Sequence, residues 1–227
     1  MRLFKRKSII GFTSILIIFL CQSCFEIVEE VSLNNDGSGS FCITINMSQS
    51  KLNINAMLLL DSVNGRHVPK VEDMKKALGK IEQTLTNDSS LTKIKTTQNW
   101  DDYIFSICGN FKNIVALNKA INDINTLFNK QTGHTSTIKD HFTYSHNVFK
   151  RLNNYNLVSD YNSLPEKDKM VLKDAKYTAI YRFKTPVESC SNVDALKSKT
   201  GTALMLKASI KDLITNKKTI ENTVHLN

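Results

Sequence analysis

Three groups of residues in this sequence are of types that do chemistry: five cysteines, five histidines, and the acidic pair Asp101-Asp102 beside the single tryptophan, Trp100. Cys24 has the most telling surroundings. Arg2, Lys5, Arg6 and Lys7 form a basic head, Ser8 to Leu20 is an uncharged, mostly apolar run, and Cys21-Gln22-Ser23-Cys24 closes it. A basic start, a short apolar stretch and a small residue ahead of the cut describe a secretory signal peptide. The run is shorter than the ~20 apolar residues of a spanning helix. Ser23 ahead of Cys24 resembles a loose bacterial lipobox, where the signal peptidase cuts before the cysteine and lipid is attached to its sulfur. Cys21 is the poorer acceptor because bulky Leu20 precedes it. Residues 1–23 are therefore expected to be removed, leaving Cys24 as an N-terminus carrying palmitate-type chains. One chain holds a protein only reversibly, whereas the two or three of a mature lipoprotein hold it stably.

The other cysteines carry a weaker signal. In Phe41–Met47 the apolar residues alternate inward, so Cys42 faces the other way; in Tyr103–Phe111 the same reasoning puts Cys108 opposite the core. A disulfide between them is geometrically open, and unpaired small residues are the default expectation. Cys190 would be left over in what should be an oxidising compartment. No Cys-x-x-Cys supports redox or zinc chemistry. His134, His141 and His146 lie nearest one another, but His141 and His146 have opposite parity on an extended segment and point apart. They are expected at the surface or an interface, with no metal. Asp101-Asp102 falls in a turn, where acids are usually solvated. No nucleophile motif and no phosphate-cradling glycine loop appears. The chain reads as a non-enzyme without a cofactor.

Removing residues 1–23, with four basic and no acidic residues, takes the formal net charge from +9 to +5. The remaining 204 residues suffice for one sizeable domain, with a sub-division near 130–137 as the candidate break. Lysines are spread rather than clustered, which excludes a nucleic-acid patch and leaves attraction to anionic headgroups as the sharper alternative.

These residues need elements to hold them. Phe25–Val31 reads as a strand beginning directly after Cys24, so no flexible tether separates domain from bilayer. Asn34–Gly39 is a turn and Ser40–Ser48 the returning strand. Gln49–Val63 reads as a helix with Leu52, Ala56, Leu59, Leu60 and Val63 on one stripe. Ile54, Met57 and Leu58 widen its apolar surface, so the helix is either buried or covers a groove. Those three are the candidate ligand or partner face, methionine being suited to adaptable contacts. Asp61-Ser62-Val63 resembles the short O-glycosylation pattern of exported Bacteroidota proteins, making Ser62 a candidate modification site. Lys70–Thr86 is a regular amphipathic helix with Val71, Met74, Leu78, Ile81 and Leu85 inward. Leu91–Asn99 and Asp102–Phe111 form a second hairpin. Helix Asn113–Asn129 follows, its Asn118, Asn122, Asn125 and Asn129 expected to face solvent. Ile138–Arg151 reads as extended. Ser163 and Glu166 resemble a capping box for a helix to about Ala175. Strands Tyr177–Phe183, Thr202–Ser209 and Thr219–Leu226, with a helical turn at Ile210–Thr215, complete an α+β domain: an antiparallel sheet built from hairpins with helices packed on one face.

The residues Cys24 to Phe41, continuing through Asn46-Met47-Ser48, are similar to the mature start of a group of uncharacterised Bacteroidota lipoproteins. Tyr181-Arg182-Phe183, Pro186-Val187, Ser191-Asn192 and Lys207–Ile214 resemble the same group. The order of elements is loosely similar to a mycobacterial lipoprotein family suspected of lipid binding, an analogy of fold only. The resemblance implies an outer-membrane lipoprotein, on its periplasmic or surface face, that binds an envelope protein or a lipid-like ligand. The alternative is an assembly factor whose sheet edge pairs with a partner strand.

Overall fold

A computed structural model describes residues 25–227 apart from Asn64, residues 133–138 and residues 154–156. The candidate break near 130–137 and His134 fall largely or wholly outside the described residues.

Strand β1 (Glu26–Leu33) buries Glu29, Val31 and Leu33, the period of two expected of a half-buried strand. Its turn into β2 (Gly39–Asn46) is closed by Asn34 N donating to Ser38 O at 2.8 Å and Gly37 N to Asn34 O at 3.0 Å. Gly37 has φ 82°, a conformation that costs glycine little. Gly39 is needed for a different reason: a Cβ there would come within 2.0 Å of Ser32 O and 2.6 Å of the Phe111 ring.

β5 (Leu91–Asn99) and β6 (Ile104–Phe111) form the expected second hairpin, and β6 pairs with β2 from Gly39–Phe111 to Asn46–Ile104. With β9 (Lys176–Phe183), β11 (Leu196–Lys197) and β12 (Ala203–Ser209) they build a seven-stranded sheet of order β11-β12-β9-β1-β2-β6-β5. The antiparallel expectation holds for every neighbour but one. β1 pairs in parallel with β9, from Glu26–Lys176 to Leu33–Phe183, so the first strand is central. A parallel partner so distant in the chain leaves no turn signature.

Helices α2 (Val71–Thr86) and α3 (Ile114–Thr132) cover the inner face of the sheet near β5 and β6, burying Leu78, Ile81, Leu85, Leu117, Ile121 and Ile124. The rest of that face is covered by a second sheet, β10-β13-β8-β7, from β7 (Phe142–Ser145), β8 (Val148–Arg151), β10 (Val187–Cys190) and β13 (Asn222–Leu226). The extended segment expected over 138–151 is thus a tight hairpin, turning at His146 and Asn147 with φ 51° and 59°. Phe149 joins the sheets, its ring 5.2 Å from that of Tyr181 and 5.4 Å from that of Phe183. Two short helices, α4 (Val158–Ser163) and α5 (Glu166–Lys173), precede β9. The expected capping box does not form. Ser163 ends α4 and gives its hydroxyl to Asp160 O, because Leu164 and Pro165 turn extended and α5 starts only at Glu166. Among the described residues no helix is long and apolar enough to cross a membrane.

Candidate functional site

One end of the large sheet gathers the features that matter. Phe25 O accepts Lys176 N at 2.9 Å, Met47 N donates to Tyr103 O at 3.0 Å, and Ile210 N donates to Ala175 O at 2.9 Å. The start of β1, the end of β2, the start of β6 and the start of β9 therefore form one edge row. Cys24 lies two residues before Glu26, at most ~7 Å of chain from this row.

Helix α1 (Lys51–Leu58) leaves the same row through a tight turn at Ser48–Ser50. The sequence expectation of a helix to Val63 is corrected here. α1 stops at Leu58, and Ser62–Val63 pairs with Arg66–His67 as a two-residue ladder, β3 with β4, around Gly65 at φ 76°. Lys, Leu, Ala and Met favour helix, but eight residues are too few to be helical unaided. Polar contacts hold α1 instead: Lys51 Nζ meets Asp102 Oδ1 at 3.2 Å, and the Tyr103 hydroxyl donates to Asn55 Oδ1. The Lys51 and Asn99 hydrogen bonds keep the Asp102 carboxyl below its ordinary range.

No residue of α1 is buried. Leu52 is 80% exposed, Met57 45%, and beyond the helix Leu59 and Leu60 are 86% and 53% exposed. Of the candidate face Ile54, Met57 and Leu58, Met57 is exposed and the other two are half-buried. Leu52, Leu59 and Leu60, three members of the stripe read from the sequence, are the most exposed large apolar side chains of the segment. Ser62 is exposed too. Nearby, Trp100 sits half-buried in the β5–β6 turn, 4.7 Å from the Phe105 ring, with Lys75 Nζ 5.5 Å from its centroid.

The core holds a polar cluster that sequence reasoning missed. Glu29 and Arg151 form a buried two-pronged ion pair, Nε to Oε1 at 3.0 Å and Nη2 to Oε2 at 2.9 Å, and the Tyr181 hydroxyl donates to Glu29 Oε1 at 2.8 Å. Burial pushes the Glu29 carboxyl up, but the Arg151 charge and the hydrogen bonds outweigh it and keep it ionised. Burial and the adjacent Glu29 push the Tyr181 hydroxyl well up. Tyr177 Oη is buried without a hydrogen-bond partner, the sole such side-chain atom among the described residues.

The asparagine row on α3 is a second correction. Asn118 and Asn122 are buried, not solvated. Asn118 Oδ1 accepts His141 N at 3.0 Å and Phe142 N at 2.9 Å, while its Nδ2 donates to Phe142 O at 2.9 Å. Asn122 Nδ2 donates to Lys139 O at 2.8 Å and its Oδ1 accepts Lys139 N at 3.1 Å. The two amides substitute for a missing strand and fasten the approach to β7 onto the helix. His141, expected near the surface, is buried beneath them, and its Nε2 lies 3.3 Å from Asn122 Oδ1. Burial, with the Arg151 charge, lowers its pKa to about 4. His146 is exposed in the turn between β7 and β8, so its position follows from that turn and not from alternation along a strand. Among the described residues no group of three or more His, Cys, Asp or Glu could hold a metal ion.

The outer face of the large sheet is open. Cys42 and Cys108, cross-strand partners on that face, form a disulfide, against the default of unpaired thiols; Cys190 is a half-buried free cysteine. The disulfide floors a shallow groove of about 320 Å³ with Glu30, Lys93, Lys95, Asn110 and Arg182 at its walls. Arg182 Nη1 lies 2.7 Å from Glu30 Oε2. The edge strand β5 is broken by an irregularity between Thr92 and Lys95, with Lys93 at φ 53°. A bulge and lysines are the usual guards against strand addition, which weighs against the edge-pairing alternative at this edge.

No protein-family model and no curated protein matches the chain. Among solved structures, the chain is similar to the folded domain of the LppM protein of Mycobacterium tuberculosis, determined by NMR, at 9% identity and a TM-score of 0.37, over 89% of this chain and 91% of that one. A likeness of that size carries no functional argument.

Proposed function

We propose that this chain is an outer-membrane lipoprotein, anchored through Cys24, that acts by binding rather than by catalysis. The sequence supports the anchor, through the basic head, the apolar run and Ser23-Cys24. The geometry is consistent with it, because Phe25, the residue after Cys24, is hydrogen-bonded into the large sheet. Kinship with the lipoproteins of Bacteroidota belongs to the same proposal. The binding reading is carried by one observation: Leu52, Met57, Leu59 and Leu60 are exposed together on a segment that gives nothing to the core. Contiguous exposed apolar groups mark a contact surface. The ionised core groups, by contrast, are engaged with one another.

Hydrogen exchange tests this reading. In the membrane-bound protein, amides of residues 52–60 should exchange at least about tenfold more slowly than in the Cys24→Ser chain, a factor worth about 1.4 kcal/mol. Equal exchange in the two would show that nothing in the envelope covers the segment.

A further inference from the structure

We infer that the occupant of the exposed apolar segment 52–60 is the bilayer to which the chain is tethered, so that the domain docks on its own membrane end-on. The inference rests on the anchor reading above and adds an orientation to it. A single residue, Phe25, separates Cys24 from β1, too little chain to let the domain swing clear of the headgroups. The membrane must therefore face the row formed by Phe25, Met47, Tyr103 and Lys176, and α1 leaves that row directly.

The chemistry of this end suits an interface. Leu52, Met57, Leu59 and Leu60 offer apolar side chains on a short helix and its C-terminal turn, and Trp100 stands in the adjoining turn. Tryptophan favours the boundary between water and hydrocarbon because its ring is apolar and its N–H polar. Exposed Lys70 precedes the N-terminus of α2, at the end where Lys75 reaches Trp100, and exposed Lys176 begins β9 beside Phe25. Lysines so placed attract anionic headgroups while leucines enter the acyl boundary. The opposite end of the sheet provides the contrast. There α3 begins after the end of β6, with Val115 75% exposed, about 26 Å away along eight strand residues.

The lipidated full chain, in vesicles of phosphatidylethanolamine and phosphatidylglycerol with brominated acyl chains, tests the docking. Trp100→Phe removes the single tryptophan, and a new one is placed by Leu59→Trp or by Val115→Trp. Emission from position 59 should be quenched at least about twofold and shifted to the blue, while emission from position 115 stays unchanged. Adding Leu52→Asp and Leu60→Asp should abolish quenching at position 59 while fatty-acid labelling and flotation persist. Equal quenching at the two positions, or none at 59 in a chain that floats, overturns the docking and leaves the anchor standing. A chain that neither floats nor takes fatty acid overturns the anchor itself, and the docking with it.

Discussion

Helices α1 and α2 are both rich in apolar residues, yet they have opposite fates. In α2 the apolar positions step by three and four, and Leu78, Ile81 and Leu85 are buried. In α1 they run almost all round eight residues, and none is buried. A one-sided stripe fits one packed face, whereas an all-round apolar helix needs a second surface that this domain does not supply. Apolarity records that a residue avoids water, not that its own chain covers it.

The contrast predicts a steep gradient in mutational cost, measurable by urea unfolding. Arg151→Ala should cost the most, about 3–5 kcal/mol, because it leaves the Glu29 carboxylate buried without its partner. An Arg151→Ala chain as stable as the parent would mean that the two sheets are held by apolar packing alone. Leu85→Ala, on the buried face of α2, should cost about 2–5 kcal/mol. Replacing Cys42 and Cys108 together by Ser should lower stability by about 2–4 kcal/mol, since the disulfide closes a loop with 66 residues of sequence separation. Leu59→Ala should change stability by no more than about 0.5 kcal/mol. If it costs as much as Leu85→Ala, the exposed segment 52–60 and α2 are not different in kind.

A pH series sharpens the same comparison. His141 titrates at about 4 in the folded protein, below the usual ~6.5 of an unfolded chain. Between those values the unfolded state binds more protons, so acid favours it. Stability is fully present above pH ~6.5 and should fall as pH drops toward 4. His141→Gln should flatten that slope. No comparable change is expected in the protection of residues 52–60, taken relative to the intrinsic exchange rate at each pH, since none of them has an ionisable side chain.

Much of the frame was legible from local signals. The turn at Asn34–Gly39, the hairpins it implies and the stripe of α2 follow from residue types and period. The parallel β1–β9 pair did not show, since it joins segments far apart with no connecting turn. Asn118 and Asn122 misled because asparagine on a helix is read as solvated unless a backbone segment lies beside it, and Lys139–Phe142 arrives there only in the folded chain. The cysteines were placed on the correct face, but their register, Cys42 directly opposite Cys108, is a property of the β2–β6 pairing. Of the candidate face Ile54, Met57 and Leu58 only Met57 is exposed, and Leu52, Leu59 and Leu60 of the neighbouring stripe are exposed with it, because exposure depends on what the rest of the domain leaves uncovered.

The central claim can be read from the mass of one peptide, the N-terminal fragment of the protein isolated from its native membrane. Processing after Ser23 with acyl chains on Cys24 is the predicted result. A free Cys24 thiol, or a chain still bearing residues 1–23, would contradict the account.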